Sequence, residues 1–408
     1  MKMNSRLLSY LCGSVGVFAI RFLYFLALTF FLNTQELADF TTSISISAIL
    51  LSVCMYGNYN LFMRRTAQGE GSDLVLGEYI ITSFFYFSFF LIILLMLRFN
   101  YNQFMGVSTN SLIYIYFAEF FFTAIPALFK AYALTEYDRN ILVDSLVNIN
   151  VALLLLASVT LLYFYDSKDY YSVWIKVYAS VGLLSFIIRL LIWRKNIHYP
   201  NIKHYIPAVI NQFHNGHGFM ISTVFRNIYL NIDKILMLNI LGGEIAGNYA
   251  IAFRFYNVFL MVLNSVSGVK EAKLYQLAEE SLHALNKEVA SINRMTLKYF
   301  IMVIPFWLLA SFGVYIYYPE QCAYMLILLL LLCPVQLLSF TMLNVLNSSG
   351  FEWQRLLYMF IGALISAVTS FLLSGLMSWV AIIAGAILSS SAVLVLSKNI
   401  FMKKVSDV

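Results

Sequence analysis

Apolar residues run for about twenty positions at a time along this chain, broken by short polar segments, a rhythm that continues to the C-terminal end. A run of that length matches the ~30 Å hydrocarbon core of a bilayer. In the first half the runs lie near Leu7 to Leu32, Phe40 to Met63, Tyr79 to Leu97, Leu112 to Leu134, Ile141 to Tyr165 and Val173 to Trp193. In the second half they lie near Ile210 to Leu241, Tyr249 to Val269, Tyr299 to Tyr317, Ala323 to Leu346, Leu356 to Leu373 and Met377 to Leu396. The count is about twelve. Nothing shows the ~10-residue alternation of a membrane barrel, and unpaired backbone is not tolerated in lipid, so the runs predict helices.

Composition agrees with that pattern. The chain is 61% hydrophobic and 11% charged, with a mean hydropathy of +0.79, far from soluble usage. Most Lys and Arg collect in alternate connections, at 1–6, 64–78, 130–139, 194–207, 270–298, 352–355 and 398–404. The positive-inside rule then places both termini in the cytoplasm, which requires an even number of spans. Lys2 and Arg6 precede an apolar run as in a signal peptide, but the run is long, contains Arg21 and lacks a small-residue cleavage site. It is therefore read as the first span. Cys12, Cys54, Cys322 and Cys333 have no metal-ligand or redox spacing and read as small buried hydrophobes. No Gly-rich phosphate loop is present, which argues against an ATP-driven pump.

A faint internal repeat divides the chain. Asn33-Thr34-Gln35-Glu36-Leu37-Ala38-Asp39-Phe40 after the first span is echoed by Leu241-Gly242-Gly243-Glu244-Ile245-Ala246-Gly247-Asn248-Tyr249 after the seventh. The expected fold is all-α integral membrane, two pseudo-symmetric six-helix bundles around a central cavity, 1–197 and 198–408. Leu274, Ala278, Leu282, Leu285, Val289 and Ile292 recur at helical spacing among charges, predicting a cytoplasmic amphipathic helix near 270–295. Gly13 and Gly16 in span one and Gly216 and Gly218 in span seven are candidate bending points, or packing contacts of small residues.

Candidate chemistry lies in the charges that interrupt the spans. Arg21, Arg226, Lys234 and Arg254 sit inside apolar runs, where a cation costs roughly 2.5–3.5 kcal/mol on insertion scales. Such groups face a cavity, a bundle interior or a counter-ion, and four of them point to an anionic substrate. Depth along the helices places Arg21 and Arg226 near mid-membrane and Lys234 and Arg254 beyond them. The competing reading is structural ion pairing, with Asp233 and Arg254, both in the outer half of neighbouring helices, as the obvious candidate pair; adjacent residues on a helix point about 100° apart, so Asp233 need not neutralise Lys234. Asp233 and Glu119 are candidate ion-coupling carboxylates, for a proton or a sodium ion. Asn211, Gln212, His214, Asn215 and His217 form the densest polar patch in an apolar region, read as a polar cavity mouth or as a wetted interfacial segment. His214 and His217 share a helical face, but no third ligand is visible, so no metal and no other cofactor is expected. Tyr24, Tyr229 and Tyr256 lie near the cations and could stack on sugar rings, although interface belts and core packing are the default for aromatics in such runs.

The stretch Asp233-Lys234-Ile235-Leu236-Met237-Leu238, with Gly243, Gly247-Asn248-Tyr249-Ala250-Ile251-Ala252 and Arg254, resembles the seventh-to-eighth helix region of polysaccharide repeat-unit flippases. These are the O-antigen (Wzx-type) flippases, within the superfamily that includes the multidrug and toxin extruders and the lipid II flippase. The resemblance covers the whole chain in layout and 231–263 in motif. Gly247-Asn248-Tyr249 departs from the usual Gly-Tyr step by one residue, which puts the register of Arg254 against Lys234 in doubt.

The resemblance implies a non-enzymatic transporter in a bacterial inner membrane, moving an undecaprenyl-pyrophosphate-linked oligosaccharide to the periplasmic leaflet by alternating access. It implies membrane lipid around the chain, a polysaccharide polymerase and chain-length regulator as partners, and no nucleic acid. Arg suits a pyrophosphate because its planar fork binds two oxygens at once. A cation-coupled multidrug antiporter is the nearest alternative, although cationic cargo would favour cavity carboxylates. An O-antigen polymerase is the enzyme alternative, and it would require a large outward loop that this sequence lacks.

Overall fold

The computed structural model describes residues 19–135, 138–164, 169–195, 197, 202–268, 274, 277–278 and 280–406. Among them the chain is almost wholly helical. Among the described residues ten segments are long and apolar enough to span a bilayer, and the shorter apolar helix Ala19–Leu28, α1, carries the described part of the first predicted span. Large side chains such as Phe99, Phe312, Phe371 and Leu376 are exposed on the outer faces, as lipid-facing surfaces require and soluble ones avoid.

The helices that follow are α2 (Thr34–Met55), α3 (Asn58–Ala67), α4 (Ser72–Asn100), α5 (Thr109–Glu119), α6 (Ile125–Thr135), α7 (Asp138–Leu162), α8 (Tyr170–Trp193) and α9 (Ile202–Leu241). Then come α10 (Gly243–Gly268), α11 (Leu282–Tyr317), α12 (Glu320–Ser348), α13 (Glu352–Met377) and α14 (Trp379–Ser406). The helices pack as two compact units, Met1–Asn227 and Ile228–Val408, and the division falls within α9. At 40 residues α9 is about 60 Å long, but it is not among the ten apolar segments. Its polar patch and charged residues keep it below that apolarity.

Three local features depart from straight spans. The second predicted span breaks at Tyr56 and Gly57, both at positive φ (44° and 75°), separating α2 from α3. A Cβ on Gly57 would lie 2.6 Å from the Phe219 Cβ, so this corner is also where α9 packs closest. The fourth span is interrupted by a π-helical turn, Phe120–Ala124, between α5 and α6. The connection after α4 folds into a two-stranded hairpin, Gln103–Phe104 paired with Val107–Ser108 around Met105 and Gly106 at positive φ.

α2 starts with a reciprocal cap: the Asn33 side chain accepts from the Glu36 N–H at 2.9 Å, and the Glu36 carboxylate accepts from the Asn33 N–H at 2.9 Å. In the second unit, Leu285, Val289 and Ile292 on the first turns of α11 bury against Met342, Val345 and Leu346 of α12 and Phe401 of α14. The amphipathic stretch expected near 270–295 lies partly outside the described residues. From Leu282 onward it runs into the ninth span as one helix, and its apolar stripe braces the ends of α12 and α14.

Candidate functional site

In the first unit the polar residues gather along one face of α8. Tyr178, Gly182, Ser185 and Arg189 recur at i, i+4, i+7 and i+11 and are all buried. A Cβ on Gly182 would lie 3.2 Å from Ala118 Cα, so this stripe lies tightly on α5. The Tyr178 hydroxyl donates to Glu119, which is 7% exposed at the end of α5. The π turn that follows bonds Ile125 N–H to Phe120 O and displaces the regular ladder. Arg21 on α1, half-buried, directs its Nη2 at Phe122 O of that turn, 3.5 Å away.

Further along the stripe Arg189 is 1% exposed. Its Nη1 donates to Ser185 Oγ and its Nη2 to Asn148 Oδ1 at 2.5 Å, while Asn148 Nδ2 donates to Asp144 Oδ2 at 3.0 Å. Asp144 is buried, and among the described residues Asn148 bridges it to Arg189. Arg189 Nε and Asp144 Oδ1 have no hydrogen-bond partner among the described residues. Arg189 is the buried cation that the hydrophobic pattern did not single out. It lies near the end of a predicted span, where a basic residue reads as interfacial, yet it shares the helical face of Tyr178 and Gly182. Asp39 is a second addition, its carboxylate accepting from the Ser108 N–H at 2.8 Å and from the Tyr171 hydroxyl.

The polar patch of α9 separates into parts. Gln212 is buried and donates to Asn58 Oδ1, and Asn58 donates to Ser83 Oγ at 2.6 Å. Gln212 and Asn215 line a cavity of about 150 Å³ with Arg64, Arg65 and Tyr79. Arg65 is already clamped by Glu70 and, at 2.6 Å, Glu78, and its hydrogen bond holds the Glu70 carboxyl below its usual range. His214 and His217 are exposed; His217 Nδ1 lies 2.8 Å from His214 O, and no metal-binding group occurs among the described residues. The Asn211 side chain lies outside the described set. Arg226 is exposed on α9, beside Asn227, whose amide donates to Ser52 Oγ and Ala48 O.

In the second unit Asp233, 7% exposed, accepts from the Tyr249 hydroxyl and lies 3.4 Å from the Lys234 Nζ. Neighbours on a helix diverge by about 100°. The two meet because the lysine bends back, donating to Leu230 O at 2.9 Å with its Nζ 4.0 Å from the Phe253 ring centre. The partner expected for Asp233 is Arg254; the ion pair that the structure gives is with Lys234. Arg254, half-buried on α10, lies within electrostatic reach of the same ammonium. Tyr256 donates to Gln336 Oε1, and Tyr229 shares a hydrogen bond of 2.9 Å with Ser390.

No family model matches the chain, and no curated protein matches it. Solved structures do. An inward-facing multidrug resistance MATE family transporter of the MOP superfamily superposes with a TM-score of 0.67 at 12% identity, covering 95% of each chain. The chain has the MATE transporter fold. The outward-facing form of a multidrug resistance MATE family transporter gives 0.66 at 12% identity, with 98% of this chain and 96% of that one covered. A Vibrio cholerae MATE transporter in the bent form gives 0.52 at 14% identity, covering 98% and 99%. The MATE fold has two pseudo-symmetric halves, so the all-α, two-halved architecture expected from the sequence is the one found.

Proposed function

We propose that this chain is an alternating-access exporter of a bacterial inner membrane with both termini cytoplasmic, and that its cargo is a lipid-linked saccharide carrying a phosphate or pyrophosphate group. Similarity to transporters held in inward- and outward-facing forms supports the transport cycle. The single observation that carries the cargo is the set of cations within the apolar runs of the sequence, Arg21, Arg226, Lys234 and Arg254. A phosphate head group loses its hydration in ~30 Å of hydrocarbon, and guanidinium and ammonium groups replace it. No covalent bond need be made or broken. The polymerase and chain-length regulator would act on the cargo after it has crossed.

A second reading, cation-coupled multidrug export, is favoured by the neighbouring structures, which are multidrug transporters. Buried carboxylates at Asp39, Glu119, Asp144 and Asp233 also suit it. Proteoliposomes containing the chain separate the two. The first reading expects translocation of a lipid-linked saccharide and no ethidium transport, with Arg21→Ala and Arg226→Ala inactive and the Lys replacements partly active. Ethidium transport without lipid translocation, or full activity of both Ala variants, would overturn it.

A further inference from the structure

The cavity of about 150 Å³ in the first unit lies where α3, the turn after it, α4 and the first half of α9 meet. Its hydrogen-bonding capacity follows from the amides behind it. The Ser83 hydroxyl donates to Tyr79 O at 2.6 Å, so its oxygen must accept from Asn58 Nδ2. Asn58 then presents Oδ1 to Gln212, which answers with Nε2. Turning either amide over would set oxygen against oxygen, so the assignment is fixed. Gln212 Oε1 is the group left over: the residue is 3% exposed, and this oxygen has no hydrogen-bond partner among the described residues. A buried acceptor in that state calls for a donor.

The two arginines at the cavity are placed differently. Arg65 is held: both Glu70 oxygens accept from its Nε at 2.9 Å, Glu78 accepts from its Nη1 at 2.6 Å, and the guanidinium lies 5.5 Å from the Tyr79 ring centre. Arg64 is exposed and forms no ion pair among the described residues. The ligand that suits the cavity therefore offers an anionic oxygen to Arg64 and a hydroxyl to Gln212. A cavity of about 150 Å³ can hold a benzene-sized molecule, which is room for a phosphate and the hydroxyl-bearing carbon beside it. Close in sequence to Glu70 and Gln212, the apolar Leu74, Ile210 and Phe213 are 43%, 53% and 57% exposed, a surface suited to acyl chains. We propose that this cavity binds the head group of an acidic glycerophospholipid, with Arg64 on the phosphate and Gln212 Oε1 accepting from a glycerol hydroxyl. Basic pockets between helices on the cytoplasmic side bind anionic head groups in this way, and 64–78 is cytoplasmic on the topology proposed above. A bound head group would add a second bridge between α3 and α9 to the one that Asn58 and Gln212 make.

The test uses the full chain, delipidated in a maltoside detergent, with no cargo present. Phosphatidylglycerol should raise the melting temperature saturably and stay bound in native mass spectra. Phosphatidylcholine with the same acyl chains, which has neither net charge nor a hydroxyl, should do neither. Arg64→Gln should raise the phosphatidylglycerol midpoint about ten-fold, the loss of one charge-assisted hydrogen bond, and Arg64→Lys should recover part of it. Lys298→Gln, which removes an exposed cation from the second unit, should leave the midpoint unchanged. An equal response to phosphatidylcholine, or a midpoint in Arg64→Gln no different from that in Lys298→Gln, overturns the proposal. Phosphatidic acid, which lacks the glycerol head, should bind more weakly; equal or tighter binding overturns the part given to Gln212. Glycerol 1-phosphate that protects as well as the lipid at equal concentration makes the ligand a soluble phosphate ester and overturns the lipid assignment. Because no arm contains cargo or depends on topology, failure of the cargo experiment leaves these results standing, and the reverse also holds.

Discussion

Arg189 and Asp144 form a buried pair separated by one amide, and removing either charge should destabilise the first unit unequally. An uncompensated buried charge typically costs about 3–5 kcal/mol. In Arg189→Gln the Asp144 carboxylate keeps Lys130 within electrostatic reach, so the cost falls toward about 3 kcal/mol. In Asp144→Asn the Arg189 guanidinium loses its carboxylate and keeps the repulsion of Arg21, so the cost rises toward about 5 kcal/mol. With both replaced, Asn148 bridges two neutral amides. The double variant should then be more stable than the sum of the single losses predicts, with a coupling of about 2 kcal/mol. Titration with SDS in mixed micelles would follow this, using the fluorescence of Trp193, buried one turn from Arg189. Single-variant losses that add to within about 0.5 kcal/mol, or the reverse order of the two, would refute the reasoning.

Gly216→Ala and Gly218→Ala should act in opposite directions. A Cβ at 216 would lie 2.5 Å from Tyr56 O and cost about 1–3 kcal/mol in overpacking, while one at 218 meets nothing within 4 Å and gains up to about 1 kcal/mol in helix propensity; thermal melting in detergent distinguishes them. Gln212→Leu should cost about 1–3 kcal/mol by leaving Asn58 Oδ1 without its donor, an effect that the same melting assay should show reduced in a background of Asn58→Leu. Glu70 is held below its ordinary range by Arg65, so its contribution is present above the unfolded carboxyl value and is lost as pH falls through the depressed folded value. The Glu70 side chain is 43% exposed and screened, so the effect should stay below about 1 kcal/mol and be absent in Glu70→Gln, as melting against pH would report.

The spans were legible because a helix in lipid must be apolar over its whole length, a condition that twenty residues either meet or fail. Their interruptions were not. Tyr56 and Gly57 leave the helix inside the predicted run from Phe40 to Met63, and the π turn at Phe120–Ala124 changes the hydrogen-bond register without changing composition. The hairpin around Met105 and Gly106 had a single glycine as its signal. Each feature depends on what packs against it: α9 beside Gly57, and the Arg21 guanidinium at the π turn.

For the candidate sites, charge was visible and pairing was not. A cation well inside an apolar run announces its cost, which marked Arg21, Arg226, Lys234 and Arg254, while Arg189 near the end of its span passed as interfacial. Whether it meets a carboxylate depends on rotamers and on the facing helix, as Lys234 shows by bending back to its own neighbour. Hydroxyls announce nothing, because a serine in a membrane helix can bond its own helix's carbonyl at little cost and passes as filler in an apolar run. Ser366 and Ser389 become informative only when Gly362 and Gly385 draw α13 and α14 so close that both hydroxyls are enclosed with no hydrogen-bond partner among the described residues. The costliest residues therefore marked the positions to be tested for transport, while the cheapest ones, silent in the sequence, line a small enclosed cavity beside Asp233.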